Sequence, residues 1–83
     1  MITILYFAWL RERTGTPEEQ IDLPDGVATV GALMRFLTAR HPDAFRPDES
    51  SVVRCAVNQT FASADDPIQD GDEVAFFPPV TGG

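Results

Sequence analysis

The amino-acid sequence predicts an α+β fold in which a mixed β-sheet wraps one main helix, and three observations carry that reading. Strand-like segments lie at both ends, and only one stretch between them holds helical periodicity over several turns. With 83 residues there is room for a single core, since domains of this size bury about 60–65% of their unfolded surface. No repeat, linker or low-complexity stretch intervenes, so residues 1–83 read as one domain with 77–83 as a protruding tail.

Met1 to Ala8 is β-branched and aromatic, with Ile2, Ile4 and Tyr6 on one parity and Leu5 and Phe7 on the other, a strand covered on part of both faces. Trp9 to Thr14 suits a short helical turn, broken by Gly15, Thr16 and Pro17. Glu18 to Leu23 places Ile21 and Leu23 at strand spacing, and Pro24-Asp25-Gly26 turns the chain, making the first two strands a hairpin-like unit. The period then changes. Val30, Leu33, Met34 and Leu37 form one helical stripe, with Thr29 as N-cap and an end near Arg40-His41, before Pro42. Ala32 stands where a capping-box Glu would be, so that cap is incomplete.

Asp43 to Ser51 is polar and contains Pro47, hence a loop. Val52, Val53, Cys55 and Val57 mark a further strand, Asn58 suits a tight turn because it tolerates positive φ, and Phe61 opens or flanks a short segment. Asp70-Gly71 turns into a last strand, Glu73 to Phe77, whose alternation sends Val74 and Phe76 to the core and Ala75 and Phe77 to the other face. Strand, strand, helix, strand, short segment, strand is the order of a β-grasp, ubiquitin-like plan. In that plan the first and last strands lie side by side and the tail leaves from the end of the sheet.

Thirteen acidic residues against six arginines give a net charge of −7, which repels a phosphate backbone and makes nucleic acid an unsuitable ligand. The longest apolar run, Ile4 to Leu10, falls far short of the roughly 20 residues that span a bilayer. No basic segment precedes it, so the sequence reads as cytoplasmic, with no membrane partner. Cys55 is the one cysteine, which excludes an internal disulfide and fits a reducing compartment.

Catalytic chemistry has little to build on. His41 and Cys55 are the sole imidazole and thiol, so neither a zinc site nor a Cys/His pair with spare ligands is available. His41 reads as a cation complementing the helix dipole, and Cys55 as a small buried hydrophobe. Asp65, Asp66, Asp70, Asp72 and Glu73 lack the spacing of a calcium loop and read as solvated turns. Arg11 follows the first strand as an exposed cation. Phe77, at the root of the tail, reads as an interface anchor.

The tail itself is the clearest functional signal. The sequence ends in Gly82-Gly83 after Phe77-Pro78-Pro79-Val80-Thr81, so two residues without side chains follow a stretch stiffened by two prolines. Extended, the residues after Phe77 span roughly 20 Å, enough to enter another protein's active site. An ionised α-carboxylate is a poor electrophile, and group transfer through it requires activation, for instance as an acyl-adenylate. The chain has no phosphate loop, no Gly-x-Gly-x-x-Gly and no lysine, so a partner has to bind the ATP and no cofactor is held stably here.

Tyr6-Phe7-Ala8 with Arg11-Glu12, Ala56-Val57-Asn58-Gln59-Thr60, and above all Asp70 through Gly83 resemble the MoaD-like sulfur carriers, the small subunits of molybdopterin synthase. The resemblance spans the chain. It implies that Gly83 is adenylylated by a ubiquitin-activating-like adenylyltransferase, becomes a thiocarboxylate, and donates sulfur to cyclic pyranopterin monophosphate. It further implies a large synthase subunit as partner, in a heterotetramer. Gly82 and Gly83 would carry the chemistry, while Phe77, Pro78, Pro79, Val80, Thr81 and Arg11 would meet partners. The alternatives are a sulfur carrier for thiamine thiazole or transfer-RNA thiolation, and a ubiquitin-like binding module whose carboxylate is never activated.

Overall fold

The structure is a computed structural model and describes residues 1–45 and 53–78. Strands β1 (Ile2–Tyr6), β2 (Glu18–Ile21), β3 (Arg54–Val57), β4 (Thr60–Ala62) and β5 (Glu73–Phe77) form one mixed sheet in the order β2-β1-β5-β3-β4. Helix α1 (Trp9–Thr14) follows β1, and α2 (Val30–Arg40) follows β2. The expected β-grasp is the observed fold. The first and last strands are the parallel pair at its centre, in the register Ile4↔Val74 and Tyr6↔Phe76.

Period-2 alternation divides the sheet into two faces. Ile2, Ile4, Tyr6, Val74 and Phe76 are fully or almost fully buried, as are Val30, Leu33 and Leu37 of α2, so helix and inner sheet face form one core. Burying each such side chain contributes about 1.5–3 kcal/mol. Aromatic rings fill the end of that core where β1 and β5 finish. Phe45 meets Phe76 edge-on at 5.6 Å between centroids and Tyr6 at 6.0 Å, geometries favoured by the ring quadrupole.

Phe45 corrects an expectation. The segment after α2 was expected to be a polar loop, yet Ala44 and Phe45 are buried. Ala44 and Phe45 N–H both donate to the His41 carbonyl, at 3.0 and 3.3 Å, and this turn folds the ring back under the sheet. A lone aromatic among polar residues has no periodicity to announce it. Two boundaries also move: β2 stops at Ile21, with Leu23 packing against the core from beyond the strand, and Val53 precedes β3. Val52, expected in that strand, and residues 46–51 of the expected loop lie outside the described residues.

The start of α2 shows how an incomplete capping box is compensated. The Thr29 hydroxyl accepts from Ala32 N–H at 3.2 Å, while Val30 and Gly31 N–H donate to the carbonyls of Asp66 (3.0 Å) and Ala64 (2.9 Å). Three N–H groups that a helix leaves unpaired thus find partners, two of them in the segment after β4. Gly31 suits the close approach, since a Cβ there would stand 3.2 Å from the Ala64 oxygen and that segment would have to give by a few tenths of an ångström. Among the described residues no helix is long and apolar enough to cross a membrane.

Candidate functional site

The tail leaves the sheet beside the end of β1. Phe7 N–H donates to the Phe76 carbonyl at 3.1 Å, extending the parallel ladder by one rung and placing Phe7 next to Phe77. Ala8 then turns sharply with φ 55° and ψ −131°, a conformation unfavourable for a residue with a Cβ. Its carbonyl accepts from Arg11 N–H at 3.1 Å and Glu12 N–H at 3.3 Å, which starts α1 at the edge of the tail root. Arg11 is exposed there, and Leu10 anchors the helix by full burial.

Reading the registers across the sheet gives its outer face in rows. At the tail end lie Phe7, Phe77 and Arg54, because Arg54 opposes Phe77 in the β3–β5 pair. The next row holds Leu5, Ala75, Ala56 and Phe61, with Glu18 at the β2 edge. Beyond it come Gln20, Thr3 and Glu73, where polar groups take over. The outer face is thus apolar toward the tail and polar away from it. Phe7 and Phe61 are 47% and 81% exposed, and the Phe61 ring leans on half-buried Phe77 at 5.9 Å. Large exposed apolar side chains grouped on one face mark an interaction surface.

A tight turn and a polar cluster hold this surface in place. Asn58 and Gln59, at φ 51° and 70°, join β3 to β4 in a tight hairpin, as Asn58 led one to expect. Asn58 Oδ1 also accepts from Glu73 N–H at 3.0 Å, and its Nδ2 donates to Asp72 at 3.1 Å. On the inner side, the Glu19 carboxylate accepts from Tyr6 Oη at 2.7 Å, His41 Nε2 at 2.8 Å and Arg40 Nε at 3.1 Å. Burial disfavours ionisation of Glu19, but these three donors outweigh it and hold the pKa below the ordinary carboxylate value. Burial, then the Glu19 hydrogen bond, push the Tyr6 phenol well above its usual range. His41 therefore serves β2 as well as the helix end.

The other candidate groups are structural. Cys55 is buried, donates to the Ala62 carbonyl at 3.3 Å, and borders an apolar groove of about 280 Å³ with Val30, Met34, Val53 and Ala62. Burial and the nearby Asp66 push its thiol pKa up, away from the reactive thiolate. The acidic residues act in turns: Asp66 accepts from Ser63 N–H, Asp72 from Gln69 N–H, and Asp70 pairs with the Met1 amine. No group of three or more His, Cys, Asp or Glu side chains among the described residues is arranged to hold a metal ion.

Of the residues singled out from sequence, Phe77 and Pro78 stand at the end of β5 and Arg11 in α1, which follows β1; Pro79, Val80, Thr81, Gly82 and Gly83 lie outside the described residues. Phe7, Leu5, Ala56, Ala75 and Arg54 were not singled out as site residues. Their membership follows from strand register, which one sequence does not reveal.

A β-grasp domain whose central strand ends at an exposed apolar patch, with Gly82-Gly83 following in the sequence, fits the class of ubiquitin-like sulfur carriers. The chain belongs to the ThiS family, which matches residues 4–83. It is 46% identical to the molybdopterin synthase sulfur carrier subunit of Escherichia coli (strain K12), with 100% of both chains covered. Among solved structures it resembles a putative molybdopterin converting factor subunit 1 from Pyrococcus furiosus, at TM-score 0.80 and 38% identity over 95% of this chain and 97% of that one. SAMP1 from Haloferax volcanii is similar at TM-score 0.80 and 31% identity, covering 99% and 98%.

Proposed function

We propose that this chain is the sulfur-carrier subunit of a molybdopterin synthase, with Gly83 as the carrying residue. The observation that carries the reading is the place where β5 ends. Phe77 and Pro78 bring the chain out beside Phe7 and Phe61, on the apolar part of the outer face, five residues before the terminal carboxylate. A partner that covers this patch receives the tail at a fixed origin. The 46% identity to a molybdopterin synthase carrier subunit over the whole chain supports the same pathway rather than thiazole or transfer-RNA thiolation.

The chemistry divides between partners. A carboxylate oxygen of Gly83 attacks the α-phosphorus of ATP in the adenylyltransferase, pyrophosphate leaves, and the acyl-adenylate forms. A sulfide-equivalent donor then displaces AMP to give the thiocarboxylate. Within the large subunit its sulfur is transferred to cyclic pyranopterin monophosphate, and water restores the carboxylate. A dithiolene takes two sulfurs, so two loaded tails are consumed per product, in keeping with a heterotetramer of two small and two large subunits. This chain supplies reach and a thin tip: Gly82 and Gly83 have no Cβ to obstruct a narrow channel, and the proline rings at 78 and 79 restrict their own φ. ATP is used by the activating partner and no cofactor is held by this one.

Affinity capture from the native cytosol tests the pathway. Recovery of a synthase large subunit and an adenylyltransferase is the expected result. Recovery of a thiazole synthase instead, or of no activating enzyme, would assign the chain to another pathway or to simple binding.

A further inference from the structure

Arg54 stands where the apolar patch alone does not call for a charge. It is exposed, it is the cross-strand partner of Phe77, and no ion pair holds its guanidinium among the described residues. Directly opposed residues have Cβ atoms about 4.5–5.5 Å apart, so a surface that covers Phe77 also covers the stem of Arg54. Among the described residues no carboxylate pairs with it. Asp70, Asp72 and Glu73 gather at the opposite end of β5, where Asp70 and Asp72 are engaged by the Met1 amine, Asn58 and Gln69 N–H, and Glu18 sits beyond Leu5 at the β2 edge. In a chain of net charge −7, an arginine unpaired among the described residues thus stands at the tail end of this face.

We propose that Arg54 is a specificity-determining contact with the protein that receives the tail, taken here as the large synthase subunit, so that the inference rests on the reading above. That subunit lays an apolar surface over Phe61 and Phe77 and presents a carboxylate to Arg54. An arginine covered without a partner keeps its desolvation cost, and a surface lacking the carboxylate is disfavoured for that reason. Its planar fork suits a two-pronged hydrogen bond to a carboxylate, which fixes the rotation of the domain on its partner and hence the direction of the tail.

The test is calorimetry with the purified large subunit of the cognate synthase, at low and at high salt. Arg54→Ala is expected to weaken association by about tenfold, and Arg54→Glu by more. Arg35→Glu makes the same change in net charge from an exposed position on α2, across the core from this face, and should alter affinity by less than about threefold. Phe77→Ala reports on the face itself. If Phe77→Ala weakens binding while Arg54→Glu behaves like Arg35→Glu, Arg54 has no carboxylate opposite it and the inference fails, with the docking reading left standing. If neither substitution weakens binding, or wild type does not bind, both fail together.

Discussion

The rings of Phe61 and Phe77 lie 5.9 Å apart and inclined by 58°, although β3 separates the strands that carry them. Only small Ala56 stands in the row between β5 and β4, opposite both Ala75 and Phe61, which lets the two rings approach. Phe77→Ala is expected to cost about 2 kcal/mol of association with the large subunit, roughly thirtyfold, with unfolding little changed. Calorimetry and thermal denaturation of the same variant check both halves. A variant that unfolds instead would place Phe77 in the core.

Phe76 provides the opposite outcome from the adjacent position. It is fully buried and packs edge-on against Phe45, so Phe76→Ala should destabilise the domain by about 3–5 kcal/mol. Urea denaturation measures it. A mild effect at Phe76 with a severe one at Phe77 would shift the strand register by one residue.

Much of this was legible beforehand, and the failures share a cause. Period and turn residues located α2, its Thr29 cap, the Asn58 turn and the alternation of β5, because each is a local property of a few neighbouring residues. Register is not local. The outer rows that join Phe7, Phe77 and Arg54, and the bonds from Val30 and Gly31 to the segment after β4, depend on residues far apart in the chain. Phe45 was missed because one aromatic shows no period, and the Glu19 cluster because its four members come from β1, β2 and the end of α2.

The Glu19 cluster gives the domain an acid-sensitive brace. The pKa of Glu19 is lowered in the folded state, so its stabilisation is fully present above the unfolded value of about 4.3 and is lost as pH falls through the folded one. Glu19→Ala removes the acceptor of Tyr6, His41 and Arg40 together and should cost about 1–3 kcal/mol at neutral pH. The loss should shrink toward pH 3, where the wild-type carboxylate is itself becoming protonated. Denaturation midpoints across pH 3–7 check the sign, and a constant difference would remove ionised Glu19 from the cause.

Position at the tip is a separate matter from docking. Deleting Gly83 draws the carboxylate back by about 3.5 Å while leaving Phe77 and Arg54 in place. A misplacement of that size is expected to reduce sulfur transfer by roughly a hundredfold or more, with a much smaller effect on association. Rates are measured with full-length and shortened carriers, both loaded by chemical ligation. Equal rates would mean that the last glycine supplies no position.

The central claim is that Gly83 carries sulfur, and intact-mass spectrometry reads it directly. The chain is incubated with a ubiquitin-activating-like adenylyltransferase, ATP and a sulfur donor, and then with a synthase large subunit and cyclic pyranopterin monophosphate. The expected result is replacement of one oxygen by sulfur, located at Gly83 by fragmentation, followed by return to the original mass as molybdopterin appears. An unchanged mass, with the adenylyltransferase shown to load another carrier, would contradict the account.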